Sequence, residues 1–531
     1  MNIIDLNSSE VDALVRIVEE STRASDKTVG RFVEPARGTL DRAKSERHHL
    51  VFGRRGSGKS SLLRKAYSEL SLLRKPAAFV DLETFKGHSY PDVLLSVLIS
   101  SLLKFEEWLK SAGSHPASKI TFWQRWFGSV PKIPPINKKN RELALIEIEA
   151  ITKDLQRLLY AQDGAKLQKT DAQTDETQDK DALKLNVPVG PANIGYEGGT
   201  DISAKKSVEV KEEFLRSKTD YLNRSILRFQ KLFRDIAQLG NGSAFLFLDD
   251  LYHIRRGDQA SVLDYFHRIA KNNGVWIKVG TIRHRTDHYS HGNPSLGMKL
   301  GDDADAIDLD ITLEKYDLAK KFLVKLLTGL IKEAKLEEPE QILADTAMDR
   351  LVLASGGVAR DFLTIFRRSI DCARERAGDS RGPRIGAEDV NRASGEHDSS
   401  KRDELRRDAT EEETVKLEES FQQVRRFCLD TANCNCFLVG RDELTKERFL
   451  IDELVDLKML HLVHSRISTR DKTGAFFTAY MLDLSQYAGD RKRRNLDLIE
   501  FWKPGGTDDL RKTRLIFDLS GLGLISAKAA H

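Results

Sequence analysis

His48-His49-Leu50-Val51-Phe52-Gly53-Arg54-Arg55-Gly56-Ser57-Gly58-Lys59-Ser60-Ser61-Leu62-Leu63 decides the fold. The short run ending at Phe52 reads as a strand and Leu62 to Leu73 as a helix. The turn between them satisfies G-x-x-x-x-G-K-[ST] in its proper context, strand before and helix after. Glycines there let backbone N–H groups wrap a phosphate without side-chain obstruction, and the helix N-terminus adds positive partial charge. Gly53, Gly56, Ser57, Gly58, Lys59, Ser60 and Ser61 are therefore expected to form a phosphate cradle. Lys59 would reach the β- and γ-phosphates of a nucleoside triphosphate, and the Ser60 hydroxyl would ligate Mg²⁺.

Working outward, Ala77 to Asp81 reads as a second strand and Asp92 to Lys110 as an amphipathic helix. Helical patterning from Val210 to Leu239 leads into Ala244 to Leu248, a fully apolar run ending in Asp249-Asp250. Val275 to Ile282 and Ile307 to Leu313 are further strand candidates. Strands alternating with helices imply a parallel sheet with crossover helices. A buried strand that ends in carboxylates places them at the carboxyl edge, where ligands sit. Asp249 is the expected Mg²⁺ partner, and Asp250 is positioned to orient or deprotonate an attacking water. Lys59 and Asp249 are 249 − 59 = 190 residues apart, more than a compact core needs, and an insertion across 113–205 accounts for the surplus.

That insertion holds an aromatic stretch (Phe122, Trp123, Trp126, Phe127), a helix from Asn140 to Tyr160, a polar tract from Asp163 to Asp181 expected to be mobile, and a hairpin-like segment after it. Thr281 and Arg283 close the strand that begins at Val275, where a polar side chain could touch a γ-phosphate. Further on, Ser355-Gly356-Gly357-Val358-Ala359-Arg360 lies between two helices, and Arg360 could turn its guanidinium onto phosphates.

The order glycine loop, apolar strand with Asp-Asp, polar strand end and Gly-Gly-x-x-Arg resembles AAA+-type ATPases, nearest the initiator/origin-recognition branch and the STAND-like switch ATPases. The resemblance covers roughly residues 30–112 and 210–395. It implies an α/β P-loop NTPase fold with a helical lid from Leu318 to His397, ATP and Mg²⁺ as ligands, ATP hydrolysis, Thr281 at the sensor-1 position and Arg360 as the sensor-2 arginine. Hydrolysing members usually carry Glu where this chain has Asp250, which implies slow turnover. The family also uses an arginine finger from a neighbouring subunit, and Arg255, Arg256, Arg268 and Arg285 are all candidates.

Beyond the lid, helices at Thr414 to Leu429 and Thr445 to Leu460 precede a hairpin from His461 to Leu484, an arrangement similar to the winged helix of initiator-type ATPases. That likeness points to duplex DNA, but the charges temper it. Residues 401–531 contain 23 Lys+Arg and 23 Asp+Glu, a net of zero, and the helix that would enter a groove carries Glu447, Asp452, Glu453 and Asp456. Basic residues sit instead on the hairpin (Arg466, Arg470, Lys472) and at Arg491-Lys492-Arg493-Arg494. The expected organisation is a helical lead-in at 1–45, an ATPase core at 46–112 and 206–315, the insertion at 113–205, the lid at 316–398 and a winged-helix-like module at 399–531.

The 531 residues carry 85 Lys+Arg against 81 Asp+Glu, a net charge of +4, which argues against a chain that coats nucleic acid or anionic lipid over its whole surface. The longest apolar run, Val93 to Leu103, is about half of what a membrane span needs. The N-terminus has acidic residues where an export signal carries positive charge. Four cysteines make no disulfide scaffold, so a cytoplasmic, reducing setting is expected, with no membrane partner. Cys428, Cys434 and Cys436 lack zinc-site spacing, and His284, His288 and His291 read as loop residues. Three roles remain open: a nucleotide-controlled switch or assembly factor working as a homo-oligomer or with a partner protein, a DNA-binding initiator-like ATPase, and a defence-type signalling module.

Overall fold

The computed structural model describes residues 3–111, 136–178, 217–376, 382–408, 411–441, 446–470, 474–488, 495–520 and 522. In chain order the first elements are α1 (Ser9–Ser21), α2 (Thr39–Lys44), β1 (His49–Phe52), α3 (Lys59–Leu72), β2 (Ala77–Asp81) and α4 (Asp92–Ser111). Next come α5 (Lys138–Gln178), α6 (Ile226–Leu239), β3 (Ala244–Asp249), α7 (Arg256–Ala270), β4 (Val275–Thr281) and a small ribbon of β5 (Tyr289–Ser290) with β6 (Leu296–Gly297). β7 is Asp305–Asp308. The central sheet has the order β2-β3-β4-β1-β7, and every neighbouring pair is parallel. β1 and β3 are buried along their whole lengths. That is why both read as continuous apolar runs rather than alternating ones. This is an α/β P-loop NTPase fold, with its loops gathered at the carboxyl ends of β1, β3 and β4.

The apolar alternation Ile307, Leu309, Ile311, Leu313 suggested a strand to Leu313, yet β7 ends at Asp308. Its ladder needs β1 as partner, and β1 stops where Phe52 pairs with Asp308. α4 is buried on most of its surface rather than along one stripe, because α5 and α6 cover the side turned from the sheet. The polar tract from Asp163, expected to be mobile, continues α5 as helix to Gln178. Its Ala, Gln, Lys and Leu residues are good helix formers, and the backbone bonds of a helix are local. The aromatic residues Phe122 to Phe127, the hairpin-like segment at 182–199, Lys472 and the basic cluster at 491–494 lie outside the described residues.

After the sheet come α8 (Tyr316–Glu333), α9 (Asp345–Ser355), α10 (Ala359–Glu375), α11 (Ala387–Asp408) and α12 (Glu411–Arg426). They lead to β8 (Cys436–Gly440), α13 (Lys446–Asp456), β9 (Leu460–Ile467) and β10 (Phe477–Leu482). The last three strands form an antiparallel sheet of order β8-β10-β9, so the expected hairpin is present. Two apolar cores result. One lies around the parallel sheet, and the other unites α1, the helices from α8 onward and the C-terminal sheet. The four cysteines are free and buried, Cys428, Cys434 and Cys436 within the second core. Among the described residues no helix is long and apolar enough to cross a membrane.

Candidate functional site

The loop from Gly53 to Gly58 leaves β1 at its carboxyl end and feeds the first turn of α3. Gly58 takes φ 100° at the helix cap, a left-handed conformation that favours glycine. Gly53 N–H donates to the Thr281 carbonyl at 3.2 Å, which ties the loop to the end of β4. Lys59 is 4% exposed, and its ammonium donates to the carbonyls of Gly53 (2.8 Å) and Arg54 (3.2 Å). Burial lowers the Lys59 pKa, against the opposing pull of Asp250, Asp249 and Asp310.

A cavity of about 590 Å³ opens over this loop. It is lined by Lys59, Ser60, Ser61, Asp249, Asp250 and Arg360, and also by the apolar side chains of Phe32, Val33, Leu309, Phe322, Leu326 and Leu363. Gly56, Ser57 and Gly58 also line it. Gly53 supports the loop from behind, where a Cβ would collide with the Ser57 hydroxyl. Arg360, at the start of α10, crosses to the loop: its backbone N–H donates to the Gly56 carbonyl at 3.2 Å. Its Nε donates to the Thr22 carbonyl, just past α1, at 3.0 Å.

Asp249 and Asp81 are register partners at the ends of β3 and β2, so two carboxylates stand side by side on the sheet edge. Burial pushes the Asp249 carboxyl up to about 7, and the charge of Asp250 adds to it, while hydrogen bonding to Ser60 pulls the other way. Asp250 follows in a left-handed conformation, φ 59°, that Asp tolerates better than most residues. Ser60 and Asp249 are oxygen donors of the kind Mg²⁺ takes, and a buried carboxylate pushed upward beside a second one is short of positive charge. The residues present thus fit a divalent cation completed by phosphate oxygens and water. No group of three or more His, Cys, Asp or Glu among the described residues could hold a metal by itself.

The raised Asp249 pKa has a consequence for stability. An aspartate whose folded pKa lies above its unfolded value, about 3.9, stabilises least when ionised. Its contribution is greatest below pH 4 and falls as pH rises through the window from about 4 to 7. Urea midpoints of the nucleotide-free chain are expected to fall across that window relative to Asp249→Asn. A wild-type profile parallel to that of the variant would show that the carboxyl titrates normally.

Thr281 is placed differently from the rest. Its side chain is fully buried, its hydroxyl is hydrogen-bonded to that of Thr286, and it is not among the cavity-lining residues. Only its carbonyl serves the loop. Arg283 lies outside too, paired with Asp308 at 2.9 Å over the Phe52 ring. Among the finger candidates, Arg255 donates to the Gly87 carbonyl and Arg268 faces Asp264 at 3.8 Å. Arg256 lies against Asp287 and Glu453 (3.4 and 3.8 Å), and the Glu453 carboxyl also feels the charge of Arg285. His284 bonds Asp456 of α13 at 3.1 Å, so it is not a plain solvated loop residue. Sequence reasoning missed the contribution of the segment Ser21 to Pro35, and of Arg54, which occupies an unspecified position of the glycine motif. No local signal marks either, because Thr22 and Arg31 meet Arg360 and Glu333, and Arg54 meets Asp310 and Gly356, across hundreds of residues.

No protein-family model and no curated protein matches the sequence. Solved structures to which the chain is similar include a Walker-type ATPase of Pyrococcus abyssi, at 13% identity and a TM-score of 0.37, over 84% of this chain and 93% of that one. Another is the ORC1 protein of Aeropyrum pernix in complex with DNA, at 13% identity and a TM-score of 0.31, over 91% of this chain and 90% of that one.

Proposed function

We propose that this chain is an AAA+-like, Mg²⁺-dependent ATPase that turns over slowly and acts as a nucleotide-controlled switch or assembly factor. One observation carries it: Lys59, Ser60, Asp249, Asp250 and Arg360, from three separate stretches of sequence, line a single cavity. Its apolar side chains suit a base, and its charged and hydroxyl groups suit a triphosphate. Mg²⁺ bound to phosphate oxygens would neutralise charge that develops in the transition state. The backbone N–H groups and Lys59 hold the β- and γ-phosphates. Ser60 and Asp249 hold the cation, Asp250 orients and deprotonates water, and Arg360 reports on the γ-phosphate from the lid side. We read α8 to α11 as that lid and the segment from α12 onward as a winged-helix-like module.

The output we favour is a contact with protein, either a second copy or a partner. The acidic side of α13, which would have to face phosphates in a groove, is turned towards the ATPase core, with Glu453 near Arg256 and Asp456 on His284. DNA binding would then fall to β9 and exposed residues such as Arg466 and Arg470. Anisotropy of a labelled duplex, titrated with the full chain at low and moderate salt, separates the two outputs. We expect no salt-sensitive binding in the micromolar range. Affinity that falls steeply with salt would favour the initiator-like reading, because released counterions produce that slope.

A further inference from the structure

Arg54 is a free position in the glycine motif, yet its side chain is only 2% exposed. It faces two ways. Its carbonyl accepts from the Lys59 ammonium at 3.2 Å and from the Ser57 N–H at 3.1 Å. Its guanidinium donates to Asp310 Oδ1 at 3.2 Å and to the carbonyl of Gly356 at 3.0 Å. Arg54 therefore links the lysine of the phosphate cradle to the turn between α9 and α10.

That turn touches the C-terminal module directly. Gly356 has φ 56°, and a Cβ at this position would collide with the imidazole of His461, on β9. His461 Nε2 is bonded to Asp483 Oδ2 at 2.8 Å, and Lys401 Nζ of α11 meets the same oxygen at 2.6 Å. A parallel arm starts one residue past Arg360, where Asp361 pairs with Lys458 at 3.1 Å. His461, Asp483, Lys401, Asp361 and Lys458 are all buried. Two carboxylates balance two ammonium groups. Burial lowers the His461 pKa; the bond to Asp483 and its charge pull the other way, and the nearby Lys401 and Arg54 charges act with burial.

A close-packed chain of this kind has no slack in which to absorb a displacement. A γ-phosphate would compete for the Lys59 ammonium that the Arg54 carbonyl now shares, and so alter the seat of Arg54. Among the described residues His461 Nδ1 has no hydrogen-bond partner, although it is buried against the turn. Such an atom calls for an explanation. A small shift of the turn at 355–358 that presented a backbone N–H would supply one.

We propose that Arg54, Gly356, His461 and Asp483 form a relay that passes the state of the phosphate cradle to the sheet β8-β10-β9. The proposal rests on the reading of Gly53–Ser60 as a phosphate cradle. In it Arg54 and His461 are positioning residues, and neither touches nucleotide.

Hydrogen–deuterium exchange of the full chain, with and without Mg²⁺ and a non-hydrolysable ATP analogue, tests the relay alongside equilibrium binding of the same analogue. In the wild type, amide exchange in Leu460–Ile467 and Phe477–Leu482 is expected to change by about tenfold on binding, within the usual range of coupling between sites. His461→Phe keeps the ring against Gly356 but loses the bond to Asp483, so it should bind the analogue normally and lose that change. Arg54→Met should lose it as well, and it carries the test if the His461 variant fails to fold. Binding without any change in β9 and β10 overturns the relay and leaves the ATPase assignment standing. A change that persists in a folded variant also overturns the relay, because the signal then travels another way. Absence of binding overturns both.

Discussion

Replacing Lys59 with alanine is expected to lower phosphate release from ATP by about 10²–10³-fold, the usual cost of removing one preorganised donor aimed at developing charge. The expectation follows from where the ammonium sits. It is buried, held between the Gly53 and Arg54 carbonyls at the floor of the cavity, and close enough to Asp249 and Asp250 to feel both charges. Among the described residues no second lysine lines the cavity. ATP binding should weaken in parallel, measured by equilibrium titration of a fluorescent analogue. A variant that releases phosphate at the wild-type rate would mean the cavity is not the site. Because Lys59 is buried, a melting curve of the same variant separates loss of the site from loss of the fold.

Asp250→Asn should do something different. The amide keeps the size of the side chain and its position after β3, but it cannot take a proton from water. Turnover is expected to fall by about 10²–10⁴-fold, the range for removing a general base. ATP affinity should hold or tighten, because one negative charge beside the phosphates is gone. The left-handed backbone at Asp250 fits this role: strained conformations persist at functional sites where the surrounding structure fixes them. Single-turnover phosphate release with pre-bound ATP reads the chemical step directly. Equal losses in binding and in rate would make Asp250 a structural residue of the strand end.

Much of this site could be read from the chain because its parts are local. Phe52 to Leu63 contains strand, turn and helix within a dozen residues, and Ala244 to Asp250 announces a buried strand by its unbroken apolar run. The ends of such strands must share one edge once the sheet is parallel, so Lys59 and Asp249 converge despite lying 190 positions apart. Thr281 shows the limit of that logic. The strand end was legible, but the hydrogen bond from its hydroxyl to Thr286 depends on a turn five residues on. Arg54 shows the same limit from the other side. A buried guanidinium shared by Asp310 and Gly356 leaves no trace in a motif that specifies only glycine, lysine and serine. The docking of α13 onto Arg256 and His284 was equally hidden. Its acidic residues read as a reason not to meet DNA, and what they meet instead is set by the packing of one core on another.

Equilibrium binding of ATP to the wild-type chain, with Mg²⁺ and again with the cation chelated, tests the central claim most directly. Saturable binding at one site per chain that weakens when Mg²⁺ is removed is expected, since the Asp249 carboxylate can engage the triphosphate only through the cation. A chain that binds no ATP under either condition, with its fold intact by melting, would contradict it.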